Sequence, residues 1–360
     1  MRKKTSVPTD FERFRGCLLG GAVGDALGAS VEFWPLEEIV EKYGADGPSE
    51  LVSGDFPAGS FTDDTQMTLF VAEGLIRSLN YRAKVGHEPP IEIFLRAHWR
   101  WLWTQGDHTD GNIDEAHSTS WLTKIPDLNE IRAPGESCLS ALRSGKLGTP
   151  GAAINNSKGC GGVMRVAPVG LAWPDDPFLC GSWVAALTHG HPTGWIAAGC
   201  LARIINEIVG GVDLEPAVER AMIELELYPD HEETLTALER ALAFEALGLG
   251  NSEEVECLGG GWVAEEALAI AVFCALIAPD FESALKLAVT HSGDSDSTGS
   301  ITGQILGALH GPDVIPARWL EQLELRDTIE QVATDLYSAV HEKKALAKDG
   351  TYDLKRYPAE

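Results

Sequence analysis

Two rows of glycines at four-residue spacing limit most strongly how this chain can fold. They occupy two distant segments: Gly16, Gly20, Gly24 and Gly28, and then Gly299, Gly303 and Gly307. Residues four apart lie on one face of an α-helix. Glycine inside a helix costs about 1 kcal/mol relative to alanine. The rows therefore predict two central helices whose backbones closely approach their neighbours.

Helical periodicity extends beyond these rows. Met67, Phe70, Val71 and Leu75 repeat at the three-to-four spacing of an amphipathic helix. We find no β-hairpin signature with alternating flanks, no repeat of fixed period and no low-complexity linker. Although 360 residues would allow two or three domains, the pattern predicts one all-α domain.

Composition excludes several classes of function. The formal net charge is −26, from 54 acidic and 28 basic residues, which disfavours binding to nucleic acid. The longest apolar run, 267–279, is shorter than the roughly 20 residues of a membrane span. The basic N-terminus lacks an apolar run typical of a secretory signal. Seven irregularly spaced cysteines are typical of reduced thiols. We expect a cytoplasmic protein.

Two acidic clusters stand at predicted helix starts, about 230 residues apart. Their oxygen-bearing side chains are Thr62, Asp63 and Asp64 in FTDDT, and Asp294, Asp296 and Ser297 in HSGDSDST. Helix capping is the simplest interpretation of either cluster alone. Capping needs one side chain, however, and each cluster carries several. Together they form an all-oxygen set suited to Mg²⁺, Mn²⁺ or Ca²⁺ if they converge.

Two further acids follow the first glycine row. Asp25 and Glu32 are seven residues apart, which would place them near one face of the predicted first helix. Acids in so apolar a segment are costly to bury unless they are bound or paired. We interpret Asp25 as structural. Glu32 is either a helix-end residue near solvent or a general base or acid beside the metal ions.

Six segments together resemble the ADP-ribosylglycohydrolase family. They occur in the family's order between residue 16 and about residue 311: GCLLGGAVGDALGASVEF, FTDDTQMTLFVAEGL, NNSKGCGGVMRVAP, ALTHGHPTG, GGGWVAEEALAIAVF and HSGDSDSTGSITGQILGALHG. The resemblance implies an all-α, single compact orthogonal helical bundle. We expect this domain over residues 13–342, with an N-terminal extension at 1–12 and a C-terminal tail at 343–360.

The resemblance also implies a dinuclear centre holding two divalent cations, Mg²⁺ or Mn²⁺. Its ligands would be Thr62, Asp63, Asp64, Asp294, Asp296 and Ser297. Glu32 matches a glutamate that lies beside the ribose and is proposed to act in catalysis. Asp64 and Asp296 are the metal-bound carboxylates expected to share that chemistry.

Substrate contacts are implied for the loop 157–162, through Ser157, Gly159, Cys160 and Gly161, and for His189. The family often has asparagine where this chain has Cys160, which is either an incidental small residue or a nucleophile. His189 is a pocket residue or a satisfied core histidine. Asp110, in HTDGNIDEAH, contacts substrate or belongs to a solvated acidic loop.

The implied activity is hydrolysis of the bond joining ADP-ribose to arginine side chains of a modified protein. The DSDS form of the second cluster resembles arginine-directed members more than serine-directed ones. Serine-linked or small-molecule ADP-ribose remain alternatives. So do an immunity protein that reverses or blocks an ADP-ribosyltransferase toxin, and a catalytically silent ADP-ribose-binding module.

Overall fold

The computed structural model describes residues 7–108, 111–342 and 346–359, and over these ranges it is helical without a single β-strand. The prediction of an all-α fold is confirmed. None of the helices in these ranges has the length and apolar character needed to cross a membrane. The helices are α1 Asp10–Gly28, α2 Leu36–Tyr43, α3 Asp63–Val85, α4 Glu92–Thr104, α5 Gly111–Ser118, α6 Glu136–Arg143, α7 Ala167–Ala172, α8 Pro177–Ala186, α9 Pro192–Val209, α10 Leu214–Leu225, α11 Glu232–Ala246, α12 Ser252–Leu258, α13 Ala264–Ile277, α14 Phe281–Ala288, α15 Ser295–His310, α16 Ala317–Gln322 and α17 Arg326–His341.

The two glycine rows face each other across the contact between α1 and α15. A Cβ atom added to Gly24 would lie 2.0 Å from the carbonyl oxygen of Gly299, and one added to Gly20 would lie 2.3 Å from that of Gly303. Real Cβ atoms do not approach backbone so closely. The close helix approach predicted from the spacing is therefore confirmed, and glycine is required on both sides of the contact.

The α1–α15 pair lies at the centre of the molecule. Helices α3 and α17 pack against α1, and α9, α13 and α14 pack against α15. Residues 295–308 of α15 are all buried, as expected of a helix surrounded by others. The N-terminus of α15 and the C-terminal end of α1 consequently meet inside the protein rather than at its surface.

The C-terminal segment packs against the body of the protein. Asn80 of α3 donates from Nδ2 to the carbonyl oxygens of Tyr352 and Tyr357, both at 2.8 Å. The hydroxyl groups of these tyrosines donate to the buried carboxylate of Asp335, at 2.6 and 2.7 Å. Arg356 donates to the same carboxylate at 2.6 Å. Asp335 is thus a buried acid whose charge is fully compensated.

We expect Gly24→Ala to lower the free energy of unfolding by about 1–3 kcal/mol or more, because its methyl group would overlap the α15 backbone. Thermal unfolding measures the change. Gly151→Ala is the matched control, since a Cβ there meets nothing within 4 Å. Equal melting temperatures for the two variants would contradict the packing account.

A second expectation concerns stability in acid. Burial, and then the nearby Arg165, lower the pKa of His98 well below its usual value. The folded protein keeps His98 neutral, while the unfolded chain takes up a proton near pH 6.5, so stability falls as pH drops below that value. Between pH 7.5 and 5.5 the parent should lose about 1 kcal/mol relative to His98→Gln, which does not titrate. Denaturant unfolding at both values measures this difference, and a constant difference would contradict it.

Candidate metal centre

The first acidic cluster begins helix α3 and is held there by Asp25 of α1. Asp25 Oδ1 accepts from the Thr62 amide at 2.8 Å, and Oδ2 accepts from the Thr65 amide and hydroxyl at 2.9 and 2.6 Å. These amides belong to the free N-terminal end of α3, where a carboxylate is favoured. Asp25 therefore has the structural role that the sequence favours, and it fixes the orientation of Asp63 and Asp64.

The second cluster begins helix α15. Asp294 precedes the helix, and its own amide donates to the carbonyl oxygen of Gly260 at 2.8 Å. The structure brings the two clusters together, because Ser297 Oγ donates to Asp64 Oδ2 at 3.3 Å although the residues are 233 apart in sequence. All six oxygen-bearing residues of the two clusters are buried.

Glu32 is not on the first helix, so our expectation of a shared helix face with Asp25 is wrong. Helix α1 ends at Gly28, where its backbone meets that of Ser295, and Glu32 lies in the turn that follows. This turn still carries Glu32 to the clusters. Its carboxylate oxygen lies within 4.8 Å of those of Asp294 and Asp296. Glu32 is half-buried, which places it at the open side of the acids.

The crowded acids are strongly perturbed. Burial, and then the charge of Asp296, raise the pKa of Asp63 and Asp64 well above the usual value and that of Glu32 to about 10. Thr62 and Asp294 do cap their helices, but capping leaves the remaining carboxylates unexplained. Asp64 Oδ1 is buried and has no hydrogen-bond partner among the described residues. An all-oxygen site with an unpaired buried carboxylate oxygen fits a hard divalent cation.

The loop 157–162 borders the second cluster through Cys160. The Cys160 thiol donates to Asp294 Oδ2 at 2.7 Å. Burial, and then Asp294, raise the pKa of this thiol well above its usual value. A protonated thiol is a poor nucleophile, so the local chemistry disfavours the nucleophile alternative. Ser157 is held by its hydroxyl contact with Ser137, 2.8 Å away.

His189 lies under the glycines of this loop. A Cβ added to Gly161 would be 3.1 Å from His189 Cε1, and one added to Gly159 would be 3.3 Å from its Nε2. The imidazole Nδ1 lies 2.8 Å from the Thr188 hydroxyl. Burial, and then Arg165, lower the pKa of His189 to about 3. His189 is thus a neutral, buried ring that supports the loop. Asp110 lies outside the described residues.

Sequence reasoning missed Glu266, which supports the second cluster from behind. Its Oε2 accepts from the Gly260 amide at 3.0 Å, and the Gly260 carbonyl in turn accepts from Asp294. The available signal in the sequence was the run of three glycines at 259–261. In the structure, two of these glycines have positive φ. A turn of this kind needs an outside partner for its exposed amides.

This arrangement of helices and acids is that of a known class of enzymes. The family model "ADP-ribosylglycohydrolase" matches residues 6–345. The chain belongs to the ADP-ribosylglycohydrolase family, whose members hydrolyse ADP-ribose from modified proteins.

Three similar proteins illustrate the match. ADP-ribosyl-[dinitrogen reductase] glycohydrolase of Rhodospirillum rubrum is 27% identical, covering 89% of this chain and 92% of the relative. ADP-ribosylarginine hydrolase Tri1 of Serratia proteamaculans is 24% identical, covering 91% and 79%. A solved structure titled "ADP-ribosylglycohydrolase-related protein complex" has a TM-score of 0.66 at 27% identity, covering 91% of this chain and 98% of the other.

We expect Asp64→Asn to raise the stability of the metal-free protein by about 1 kcal/mol or more, because it removes one of several buried, repelling charges. The amide can keep the Ser297 contact. Asp335→Asn is the control: its carboxylate is also buried but satisfied by hydrogen bonds, so that change should destabilise by about 1–3 kcal/mol. Unfolding in the presence of a chelator measures both. Destabilisation by Asp64→Asn would contradict the repulsion account.

Proposed function

We propose that this protein hydrolyses the N-glycosidic bond between ADP-ribose and an arginine side chain of a modified protein. The observation that carries the proposal is the joining of the two acidic clusters through Ser297 and Asp64, in a chain whose family model extends over residues 6–345. A pocket lined by several carboxylates suits a reaction in which positive charge develops on the ribose.

The proposed cation ligands are the oxygen-bearing residues of both clusters: Thr62, Asp63, Asp64, Asp294, Asp296 and Ser297. Two facts support this assignment. The set offers only oxygen ligands, and the buried Asp64 Oδ1 finds no hydrogen-bond partner in the part of the chain that the structure describes. Bound Mg²⁺ or Mn²⁺ would supply Lewis acidity toward the ribose hydroxyls and water.

Glu32 is the residue that we propose to transfer the proton during the reaction. It is the half-buried member of its cluster and stands at the open side. With divalent cations held by the neighbouring acids, their positive charge would lower the pKa of Glu32, which burial and those acids otherwise raise to about 10. The Glu32 carboxylate would then accept a proton from the attacking water as the water oxygen bonds to the anomeric carbon. As the bond from that carbon to the arginine nitrogen breaks, Glu32 would give the same proton to the departing nitrogen. The products are ADP-ribose and unmodified arginine.

Two further observations support the choice of arginine and the position of the substrate. The relatives from R. rubrum and S. proteamaculans carry names that describe removal of ADP-ribose from dinitrogen reductase and from arginine. Ser157, Gly159, Cys160 and Gly161 border the acids through the contact between Cys160 and Asp294. We propose that this loop, supported by His189, holds the diphosphate and ribose, with Asp110 as an additional substrate contact.

Divalent cations should stabilise the protein if the ligand assignment is correct. We expect saturating Mn²⁺ or Mg²⁺ to raise the unfolding free energy of the parent by about 3 kcal/mol at a concentration one hundred times the dissociation constant. Asp64→Asn should lose most of this gain, and Asp313→Asn, an exposed acid elsewhere, should keep it. Thermal unfolding of the parent and both variants, with and without metal, measures these gains. Equal gains in both variants would refute the assignment.

A panel of conjugates tests the reaction itself. With Mg²⁺ or Mn²⁺, we expect release of ADP-ribose from an arginine-modified protein at least tenfold faster than from serine-linked ADP-ribose or O-acetyl-ADP-ribose, by chromatography. Asp294→Asn should reduce the rate by about 10²-fold or more, while Asp313→Asn should not. No release from any conjugate, with ADP-ribose still bound, would identify a silent binding module. Faster release from the serine conjugate would refute the arginine assignment.

A further inference from the structure

Two aromatic side chains stand exposed beside the acids and stack on each other. Phe33 is 67% exposed and Trp262 is 43% exposed. Their ring centroids are 5.1 Å apart, with 25° between the ring planes. Every Phe, Trp and Tyr of the chain lies among the described residues, and all of them except these two are buried or half-buried. Exposed apolar surface concentrated at one place marks a binding surface.

The backbone of Phe33 has an unfavourable conformation. Its φ is +68°, in the left-handed region that a bulky side chain rarely adopts. The Phe33 amide donates to the carbonyl oxygen of Gly293 at 3.2 Å, next to Asp294. Such strain persists only when the surrounding structure holds it, and it clusters at functional sites. Here the strain places an apolar ring in water, which gives the folded protein little stability in return.

Both rings adjoin the acidic clusters. Phe33 directly follows Glu32, whose carboxylate lies with those of Asp294 and Asp296. Trp262 directly follows Gly261, where an added Cβ would be 3.4 Å from the Asp294 Cβ. The Trp262 carbonyl also accepts from the Cys160 amide at 3.2 Å. The stacked pair therefore forms a rim between solvent, the acids and the loop 157–162.

We propose that the Phe33–Trp262 pair receives the guanidinium group of the modified arginine and so selects a planar cation as the departing group. This inference rests on the proposed function. A cation over an aromatic face is attracted by the ring quadrupole, and guanidinium stacks well because it is flat and weakly hydrated.

The charge around the rim favours a cation over the other parts of the substrate. The nearby carboxylates and the net charge of −26 attract guanidinium, and the loop 157–162 is already assigned to the diphosphate and ribose. The modified residue also belongs to a protein that must stay outside the pocket. The arginine side chain therefore reaches the ribose across the exposed rim rather than through the buried end of the site.

The test uses Phe33→Asn, Trp262→Leu and Trp262→Phe in the full chain with Mn²⁺. Asparagine tolerates the left-handed conformation, so Phe33→Asn removes the ring without adding strain. Steady-state hydrolysis of an arginine-ADP-ribosylated protein gives KM and kcat, calorimetry gives the Kd for free ADP-ribose, and thermal unfolding gives stability. Leu227→Asn, at an exposed leucine between α10 and α11, is the control.

We expect Phe33→Asn and Trp262→Leu to raise KM about three- to tenfold, the range of one cation–π contact. The Kd for ADP-ribose should stay unchanged in both variants. The melting temperature should stay unchanged in Trp262→Leu and should stay unchanged or rise in Phe33→Asn. Trp262→Phe keeps an aromatic ring and should therefore have a KM close to that of the parent. Weaker ADP-ribose binding in both variants would show that the rings hold adenine, and unchanged KM would show a packing role; either overturns the inference. A parent that releases nothing from the arginine conjugate refutes the proposed function before any variant is compared.

Discussion

The backbone contact between α1 and α15 is the interaction on which the rest of the structure depends. Its spacing is so short that an added Cβ at Gly24 would overlap the Gly299 carbonyl. At one end of this contact, Gly28 meets the first residues of α15. The close approach thus brings the turn containing Glu32 to the acids that begin α15. Without it, the second cluster would begin an ordinary helix.

The acids themselves show how a fold can keep an unfavourable charge arrangement. Asp25 holds the end of α3 through three hydrogen bonds, and Glu266 holds the turn before α15 through Gly260. Both supports fix backbone rather than neutralise charge. Burial, and then repulsion by Asp296, therefore raise the pKa of Asp63 and Asp64. Asp335 shows the opposite case, since tyrosine and arginine donors compensate its charge. Uncompensated buried carboxylates are expected at a ligand-binding site, whereas a buried carboxylate with a structural role has its charge compensated.

The aromatic rim of the site also contains features that are unfavourable for stability. Phe33 combines exposure with a positive φ, two features that each oppose stability. Trp262 joins it from a different segment, directly after the glycine turn that supports Asp294. The same local structure that positions the acids therefore also positions the rings. A small region around 259–262 and 32–33 sets both the charge at the centre and the apolar surface at its edge.

The sequence by itself determined the helical class, the glycine contact and the two acidic clusters, because four-residue spacing and the chemistry of side chains are local properties. The family resemblance was likewise readable from six short segments. Only the tertiary structure decided that α1 ends before Glu32, that Ser297 reaches Asp64, and that Phe33 stacks on Trp262. Those facts depend on where distant segments meet, and the energy of such contacts comes from burial and packing that no local pattern encodes.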